Sequence, residues 1–181
     1  ALDPRVNLIT RLHQRLRPKL SSFDAEGARR EYRNSLRSLS EPQPSLHRVD
    51  DIEVAGVPCR LYCPTPRPDN MPMLLYFHGG GGVVGSPETS DSPCRQLSLQ
   101  ANCLVLSVDY RMGPEAPYPA SKEDALKVFD HVQEHAERFG ADTKKLAVAG
   151  DSYGGFLSAH VALARPEGPI HQLLIYPVTD F

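Results

Sequence analysis

The chain has 181 residues, a formal net charge of −2, an apolar fraction of 40% and a charged fraction of 23%. These values are those of an ordinary globular chain and exclude a disordered or fibrous one. There is no run of about 18 apolar residues, so the sequence predicts no membrane-spanning helix.

The amino-terminal 40 residues are basic, with nine Arg or Lys against four Asp or Glu. Apolar residues at helical spacing predict two amphipathic helices, over 5–20 and 25–39, and Ser21, Ser22 and Asp24 supply the break and an N-cap between them. Charges opposite an apolar stripe usually form a solvated face, so we expect no nucleic-acid partner. The stretch from Glu41 to Pro44 contains two prolines and predicts a boundary, which divides the chain into 1–40 and 41–181.

A hairpin is predicted next, from strands His47–Val54 and Val57–Cys63 joined by Ala55 and Gly56. From Met73 onward, short apolar segments alternate with longer amphipathic ones, which is typical of parallel βαβ units. The further predicted strands are Met73–Phe77, Cys103–Val108, Leu146–Ala149 and Gln172–Tyr176, and the predicted helices are Glu88–Gln100, Lys122–Phe139 and Phe156–Ala164. The sequence therefore predicts an α/β fold with a mostly parallel sheet.

Four cysteines are scattered along the chain, at positions 59, 63, 94 and 103. Cys59 and Cys63 lie four residues apart on a predicted strand, about 13 Å, which exceeds the reach of a disulfide. No pair has metal-ligand spacing with a histidine nearby. Free thiols fit a reducing compartment, so we expect a cytoplasmic location, and neither a metal nor an organic cofactor is implied.

A glycine run, His78-Gly79-Gly80-Gly81-Gly82, directly follows the strand predicted over Met73–Phe77. Without side chains, the backbone N–H groups of such a run can face an anion closely. A serine acyl-transfer site needs donors of this kind to hold the oxyanion of the tetrahedral intermediate. A flexible turn is the simpler interpretation of a glycine run alone.

A second motif, Gly150-Asp151-Ser152-Tyr153-Gly154, lies between an apolar strand and a predicted helix. In that position, Gly-x-Ser-x-Gly indicates a nucleophile elbow, a sharp turn that exposes a serine hydroxyl above the sheet. The glycines are needed because a Cβ at either position would collide with the neighbouring strand or helix. The two motifs together indicate that the glycine run is an oxyanion loop rather than a flexible turn, and they favour a serine hydrolase.

Five blocks of the chain resemble the hormone-sensitive-lipase-like, bacterial-type carboxylesterases of the α/β-hydrolase fold. Besides the two motifs, the blocks are Asp109 to Glu115, then Tyr118-Pro119-Ala120 with Glu123-Asp124, and finally Tyr176 to Asp180. The resemblance covers nearly all of the chain. It implies an α/β-hydrolase sheet, amino-terminal helices that form part of a cap over the active site, and hydrolysis of small, short-acyl carboxylic esters.

The resemblance also implies roles for particular residues. Ser152 would be the nucleophile, and the N–H groups of Gly80, Gly81 and Tyr153 would form the oxyanion hole. His78 would brace the glycine loop, with Gly79 and Asp151 as supporting motif residues. Structural rather than chemical roles fall to Arg111, Glu115 and Asp124. Two positions depart mildly from the family pattern: Gly113 replaces a usual alanine, and Tyr153 a small residue, which would narrow the acyl pocket.

The triad of this family runs Ser, Asp, His along the chain, and no such Asp–His pair follows Ser152. His160 lies eight residues beyond the serine, about 12 Å along a helix and too far to act as its base. His171 begins the last predicted strand, at the edge opposite the chemistry. Asp180 is on the correct side but has no histidine to orient.

The last predicted strand would be internal in a complete hydrolase sheet, and an open apolar edge promotes association. We therefore expect a carboxy-terminally truncated hydrolase that lacks the last strands. Such a chain should be nearly inactive alone and should self-associate or bind a complementary carboxy-terminal fragment. Two alternatives stay open, a non-catalytic binding module and a remnant with little activity of its own.

Overall fold

The computed structural model describes residues 24–37 and 43–180. It contains four α-helices in these ranges: α1 (Ala25–Arg37), α2 (Asp91–Ala101), α3 (Ala120–His135) and α4 (Tyr153–Ala164). Six strands complete the order: β1 (Arg48–Val54), β2 (Val57–Cys63), β3 (Met71–Phe77), β4 (Leu104–Val108), β5 (Ala141–Asp151) and β6 (His171–Ile175). The predicted helix over 5–20 and the last two residues of the one over 25–39 lie outside the described residues.

The six strands form one sheet in the order β1-β2-β4-β3-β5-β6. The first two are an antiparallel hairpin, and β2 pairs antiparallel with β4. The strands β4, β3, β5 and β6 run parallel to one another. This arrangement confirms the predicted α/β fold, and it brings the carboxyl ends of β3 and β5 side by side.

Local signals explain why the first elements form where they do. The N–H of Gly27 donates to Asp24 Oδ1 at 2.8 Å, so Asp24, one of the three predicted residues, caps α1. The hairpin turns through Ala55 and Gly56 at φ 53° and 79°, the left-handed pair that matches the twist of adjacent strands.

The sheet separates two apolar clusters, so helices cover both of its faces. Alternate residues of β3 illustrate the division, because Leu75 and Phe77 pack on one side while Leu74 and Tyr76 pack on the other. The larger cluster includes residues of α3 and α4, and the smaller one includes Cys94 of α2. All four cysteines are buried and free.

Several boundaries differ from the prediction, β5 most of all. It spans Ala141–Asp151, whereas the apolar run predicted only Leu146–Ala149. Its first residue pairs with Met71, and a register shift follows before Met73 pairs with Leu146. The extra residues of β5 form a strand because they pair with β3, which is distant in the sequence, and they contain no apolar run that would predict it.

Helix boundaries shift for local reasons. Helix α2 begins at Asp91 rather than at Glu88, because Ser86 and Thr89 bond to one another's backbone and hold the preceding segment in a turn. Helix α4 begins at Tyr153, directly after the serine, so the glycines that follow are already helical.

Candidate active site

Ser152 occupies a strained turn between β5 and α4. Its φ of 51° and ψ of −115° lie outside the regions that a non-glycine residue normally adopts. The surrounding backbone holds it there: its N–H donates to the carbonyl of Ile175 at 2.9 Å, and its own carbonyl accepts the N–H of Val178 at 3.0 Å. The sharp strand-to-helix turn expected at this motif is therefore present.

Both glycines of the serine motif are sterically required. A Cβ on Gly154 would overlap the carbonyl oxygen of Phe77, the last residue of β3. A Cβ on Gly150 would overlap the backbone of Gly154 and lie 2.6 Å from that same Phe77 oxygen. Because α4 passes this close to the end of β3, the serine turn lies directly beside the start of the glycine loop.

The glycine loop turns back on itself through backbone hydrogen bonds. The N–H groups of Val83 and Val84 both donate to the carbonyl of Gly80, at 3.1 and 3.0 Å. Positive φ values of 121°, 63° and 72° at Gly80, Gly81 and Gly82 make this turn possible. A Cβ at Gly80 would also overlap the carbonyl of Val84, so only glycine fits there.

Asp151 joins the two motifs. Its Oδ1 accepts the N–H of Gly79 at 3.0 Å and the hydroxyl of Tyr76 at 2.8 Å. Burial, reinforced by the neighbouring Asp151 carboxylate, raises the pKa of Tyr76, so its phenol stays protonated and donates. Sequence reasoning placed Asp151 in support of the motif but missed Tyr76, which has the pattern of an ordinary strand residue.

His78 is fully buried at the start of the glycine loop. Its Nδ1 lies 2.8 Å from the carbonyl oxygen of Gly79 and must carry the proton, because a carbonyl only accepts. The ring stacks on Tyr110 at 4.4 Å between centroids, and the hydroxyl of Tyr110 donates to the carbonyl of His78 at 2.7 Å.

Burial lowers the pKa of His78 to about 4, so the imidazole is neutral near pH 7. Its Nε2 has no hydrogen-bond partner within the described part of the chain. A buried neutral ring whose one N–H already bonds the loop backbone is suited to holding that loop rather than to exchanging protons with Ser152.

Tyr153 directs its side chain toward the glycine loop. A Cβ on Gly82 would lie 3.0 to 3.4 Å from atoms of the Tyr153 ring. The hydroxyl of Tyr153 lies 2.8 Å from Ser121 Oγ. The ring also lies near Tyr110 and Phe156, with centroid distances of 6.2 and 5.4 Å. This tyrosine therefore fills space between α3, α4 and the loop.

Helix α1 lies over one side of this arrangement. A cavity of about 570 Å³ is lined by Tyr32 and Leu36 of α1 together with Gly79 and Asp151. Burial raises the pKa of Tyr32, and the negative charge of the Asp151 carboxylate raises it further. Helix α1 therefore borders this cavity, while the assignment of residues 1–40 as a cap stays a prediction.

The other residues singled out in the sequence make no hydrogen bond to the hydroxyl of Ser152. His160 is within α4, His171 is the exposed first residue of β6, and Asp180 follows β6. In the described ranges, no histidine or carboxylate hydrogen-bonds to the hydroxyl of Ser152, and no cluster of three or more His, Cys, Asp or Glu could hold a metal ion. The described residues thus bring a serine turn and a glycine loop together.

Arg111 and Asp124 form a buried-to-surface ion pair behind the site. The guanidinium and the backbone N–H of Arg111 bond to the carboxylate at 2.8 to 3.0 Å, and Asp124 is 3% exposed on α3. The pair fixes the segment after β4 against α3. None of the helices described here is long and apolar enough to cross a membrane.

Comparison with known proteins places this geometry in a family. A model of the alpha/beta hydrolase fold matches residues 74–181. Esterase LipI of Mycobacterium tuberculosis is 44% identical over 160 residues, which are 81% of this chain and 49% of that protein. Ethyl acetate hydrolase of Pseudomonas putida is 36% identical over 174 residues, 89% of this chain and 54% of that protein.

Among solved structures, an ester-hydrolase from the metagenome of Lake Arreo, complexed with a derivative of bipyridine phosphonate, is similar at a TM-score of 0.90. It is 35% identical, over 99% of this chain and 61% of that one. The chain spans about half the length of the curated relatives it matches. These findings confirm the resemblance to the hormone-sensitive-lipase-like carboxylesterases, and the chain belongs to the α/β-hydrolase fold family.

Proposed function

We propose that the protein is a serine carboxylesterase that hydrolyses small, short-acyl esters through an acyl-enzyme. One observation carries the proposal: the strained Ser152 turn is bonded through Asp151 to the first amide of the glycine loop. A nucleophile and a row of amides held this way suit attack on a carbonyl carbon. The names of the relatives, esterase and ethyl acetate hydrolase, support the same chemistry.

In the proposed reaction, Ser152 Oγ bonds to the acyl carbon while its proton passes to a general base. The N–H groups of Gly80, Gly81 and Tyr153 hold the oxyanion of the tetrahedral intermediate. The ester C–O bond then breaks, and the alcohol leaves with the proton. Water attacks the acyl-enzyme in the same way, releasing the carboxylic acid and restoring the serine.

The preference for short acyl groups rests on the bulk around the serine. Tyr153 packs against Gly82, while Tyr32 and Leu36 of α1 line the cavity beside Asp151. The name of the Pseudomonas putida relative points to an acetate ester as well. We expect kcat/KM for p-nitrophenyl acetate or butyrate to exceed that for the decanoate; the reverse order would contradict the short-acyl assignment.

We further propose that the acid and base of the triad come from a companion segment docked beside β6. Its exposed apolar residues, Leu173 within the strand and Ile170 and Tyr176 at its ends, favour such association. The 181-residue chain alone should therefore turn over esters barely above background and should self-associate or bind a complementary carboxy-terminal fragment. Kinetics and light scattering on chain of confirmed mass test both parts, and a monomer with ordinary turnover would contradict them.

A non-catalytic binding module is the second candidate, because no described histidine or carboxylate hydrogen-bonds to the hydroxyl of Ser152. A fluorophosphonate probe separates the two candidates when the chain is tested with its complementary fragment. Covalent labelling of Ser152 supports the esterase, whereas a serine that stays unlabelled in the complemented protein supports the binding module.

A cytoplasmic location is also proposed, on the basis of the four buried free thiols. Fractionation of the source cells, with antibody detection of the chain, tests it.

A further inference from the structure

Arg29 of α1 reaches three separate acceptors at the edge of the glycine loop. Its Nε donates to the carbonyl of Val83 at 2.8 Å, and Nη2 donates to the carbonyl of Gly113 at 2.8 Å. Both terminal nitrogens also bond to the carboxylate of Glu115, at 2.9 and 2.6 Å. The side chain of Arg29 is 21% exposed.

The Val83 carbonyl belongs to the turn that sets the glycine loop. The N–H of Val83 donates to the carbonyl of Gly80, and the carbonyl of Gly82 accepts the N–H of Gly113 at 2.8 Å. Arg29 bonds to both Val83 and Gly113. It therefore links the closing side of the glycine loop to Gly113, the residue whose N–H bonds the loop at Gly82.

The same face of α1 borders the cavity at the opening side of the loop. Tyr32 and Leu36 follow Arg29 at the spacings of three and seven residues that share one helix face. They line the cavity beside Gly79 and Asp151, and Asp151 bonds the amide of Gly79. Helix α1 therefore bonds the closing side of the loop through Arg29, and through Tyr32 it lines the cavity at the opening side.

We propose that Arg29 is a positioning residue for the oxyanion loop, and that docking of α1 and placement of the loop amides are coupled through it. This inference rests on the proposed esterase function. Loop amides act on charge that develops in the transition state, so a displaced loop lowers kcat more than it changes KM.

An arginine is needed because its N–H donors are spread over three nitrogens, which reach separate acceptors that the single nitrogen of a lysine cannot approach together. The ion pair with Glu115 is the less important contact, since that carboxylate is 61% exposed and exposed pairs contribute little. The two carbonyl contacts should therefore dominate, which separates the effect of Arg29 from that of Glu115.

The test compares Arg29→Lys and Glu115→Gln, with Arg30→Lys as the matched control on the exposed side of α1. In protein with measurable esterase activity, we expect Arg29→Lys to lower kcat by about tenfold or more with KM changed less than about threefold. Arg30→Lys should match the wild type, and Glu115→Gln should fall between them. Wild-type kcat in Arg29→Lys would overturn the proposal.

Hydrogen exchange on the 181-residue chain gives a readout that needs no activity. The amides of Val83 and Val84 should exchange faster in Arg29→Lys than in the wild type or in Arg30→Lys. Unchanged exchange refutes the coupling even if the protein is an esterase, and faster exchange supports it even if the esterase assignment fails.

A second variant guards against a folding defect. In Arg29→Ala, added guanidinium should restore part of kcat and slow the exchange of Val83, whereas methylammonium should do neither. Equal rescue by both cations, or by neither in a variant with wild-type circular dichroism, counts against a specific role for the guanidinium.

Discussion

The carboxylate of Asp151 accepts the backbone N–H of Gly79 at 3.0 Å, which ties the residue before Ser152 to the first glycine of the loop. The same oxygen accepts the hydroxyl of Tyr76. The distance between the serine turn and the loop therefore depends on a carboxylate held by two donors, and Tyr76 becomes open to a direct test.

Tyr76→Phe should lower the free energy of unfolding by about 1 to 3 kcal/mol, because a buried hydrogen bond to a charged group is lost. It should also reduce kcat, since Asp151 can then move the loop away from Ser152. Urea unfolding and esterase kinetics measure the two effects.

Tyr62→Phe is the matched control for that change. Tyr62 is also buried, and its hydroxyl bonds to Asp91 at 3.1 Å, on α2 and away from the loop. It should lose comparable stability and keep wild-type kcat. Equal losses of kcat in both variants would mean that stability, rather than the position of Asp151, explains the result.

Ser152→Ala should reduce kcat/KM toward a short p-nitrophenyl ester by several orders of magnitude, since the proposed acyl-enzyme cannot form. Ser45→Ala, at an exposed serine outside the sheet, serves as the control and should retain wild-type activity. Retention of more than about a tenth of the activity in Ser152→Ala would remove this residue as the nucleophile.

Two glycine substitutions should have opposite signs. Gly154→Ala places a Cβ in the carbonyl of Phe77 and should destabilise the protein by about 2 kcal/mol or more. Gly113→Ala meets only the carbonyl of Gly82 at 3.8 Å, without a positive φ, and should stabilise by about 0.4 to 1 kcal/mol. Thermal or urea unfolding decides both, and a destabilised Gly113→Ala would contradict the reasoning.

The lowered pKa of His78 predicts that the protein loses stability in acid. Its pKa is about 4 in the folded protein against an ordinary 6.5, so the unfolded chain takes up the proton first as the pH falls. Between pH 7 and pH 5 this one residue should lower the free energy of unfolding by about 2 kcal/mol, and the loss should level off below pH 4.

Urea unfolding of the wild type and of His78→Gln across pH 5 to 7 isolates that contribution. The variant should be less stable near pH 7 but should show a flatter pH dependence. His160, whose pKa burial also lowers, is present in both proteins and cancels in the difference. Parallel pH curves would show that His78 is protonated equally in the folded and unfolded states.

Features of the fold that depend on neighbouring residues were predictable from the sequence. The Asp24 cap, the two-residue turn at Ala55 and Gly56 and the apolar core of β3 each follow from a few consecutive residues. The first half of β5 could not be predicted, because Lys144 and Lys145 give it no apolar pattern. It forms a strand because it pairs with β3, which is distant in the sequence.

The candidate site divides in the same way. Both motifs and their positions after β3 and β5 could be located from glycine spacing and flanking apolar runs. The contacts that join them could not: Tyr76 and Asp151 are 75 positions apart, and Arg29 and Val83 are 54 apart. A tyrosine in a strand and an arginine on an amphipathic helix look ordinary until the fold brings their partners close.

The hydrogen bonds of Ser152 to Ile175 and Val178 have a consequence for the order of assembly. Both partners lie after the serine in the chain, and domains begin to fold from the amino terminus during synthesis. When Ser152 leaves the ribosome, neither of these two bonds can yet offset the cost of its positive φ. The turn gains both hydrogen bonds only after β6 has docked, so Ser152 is set in place late, beside a glycine loop built from residues made much earlier.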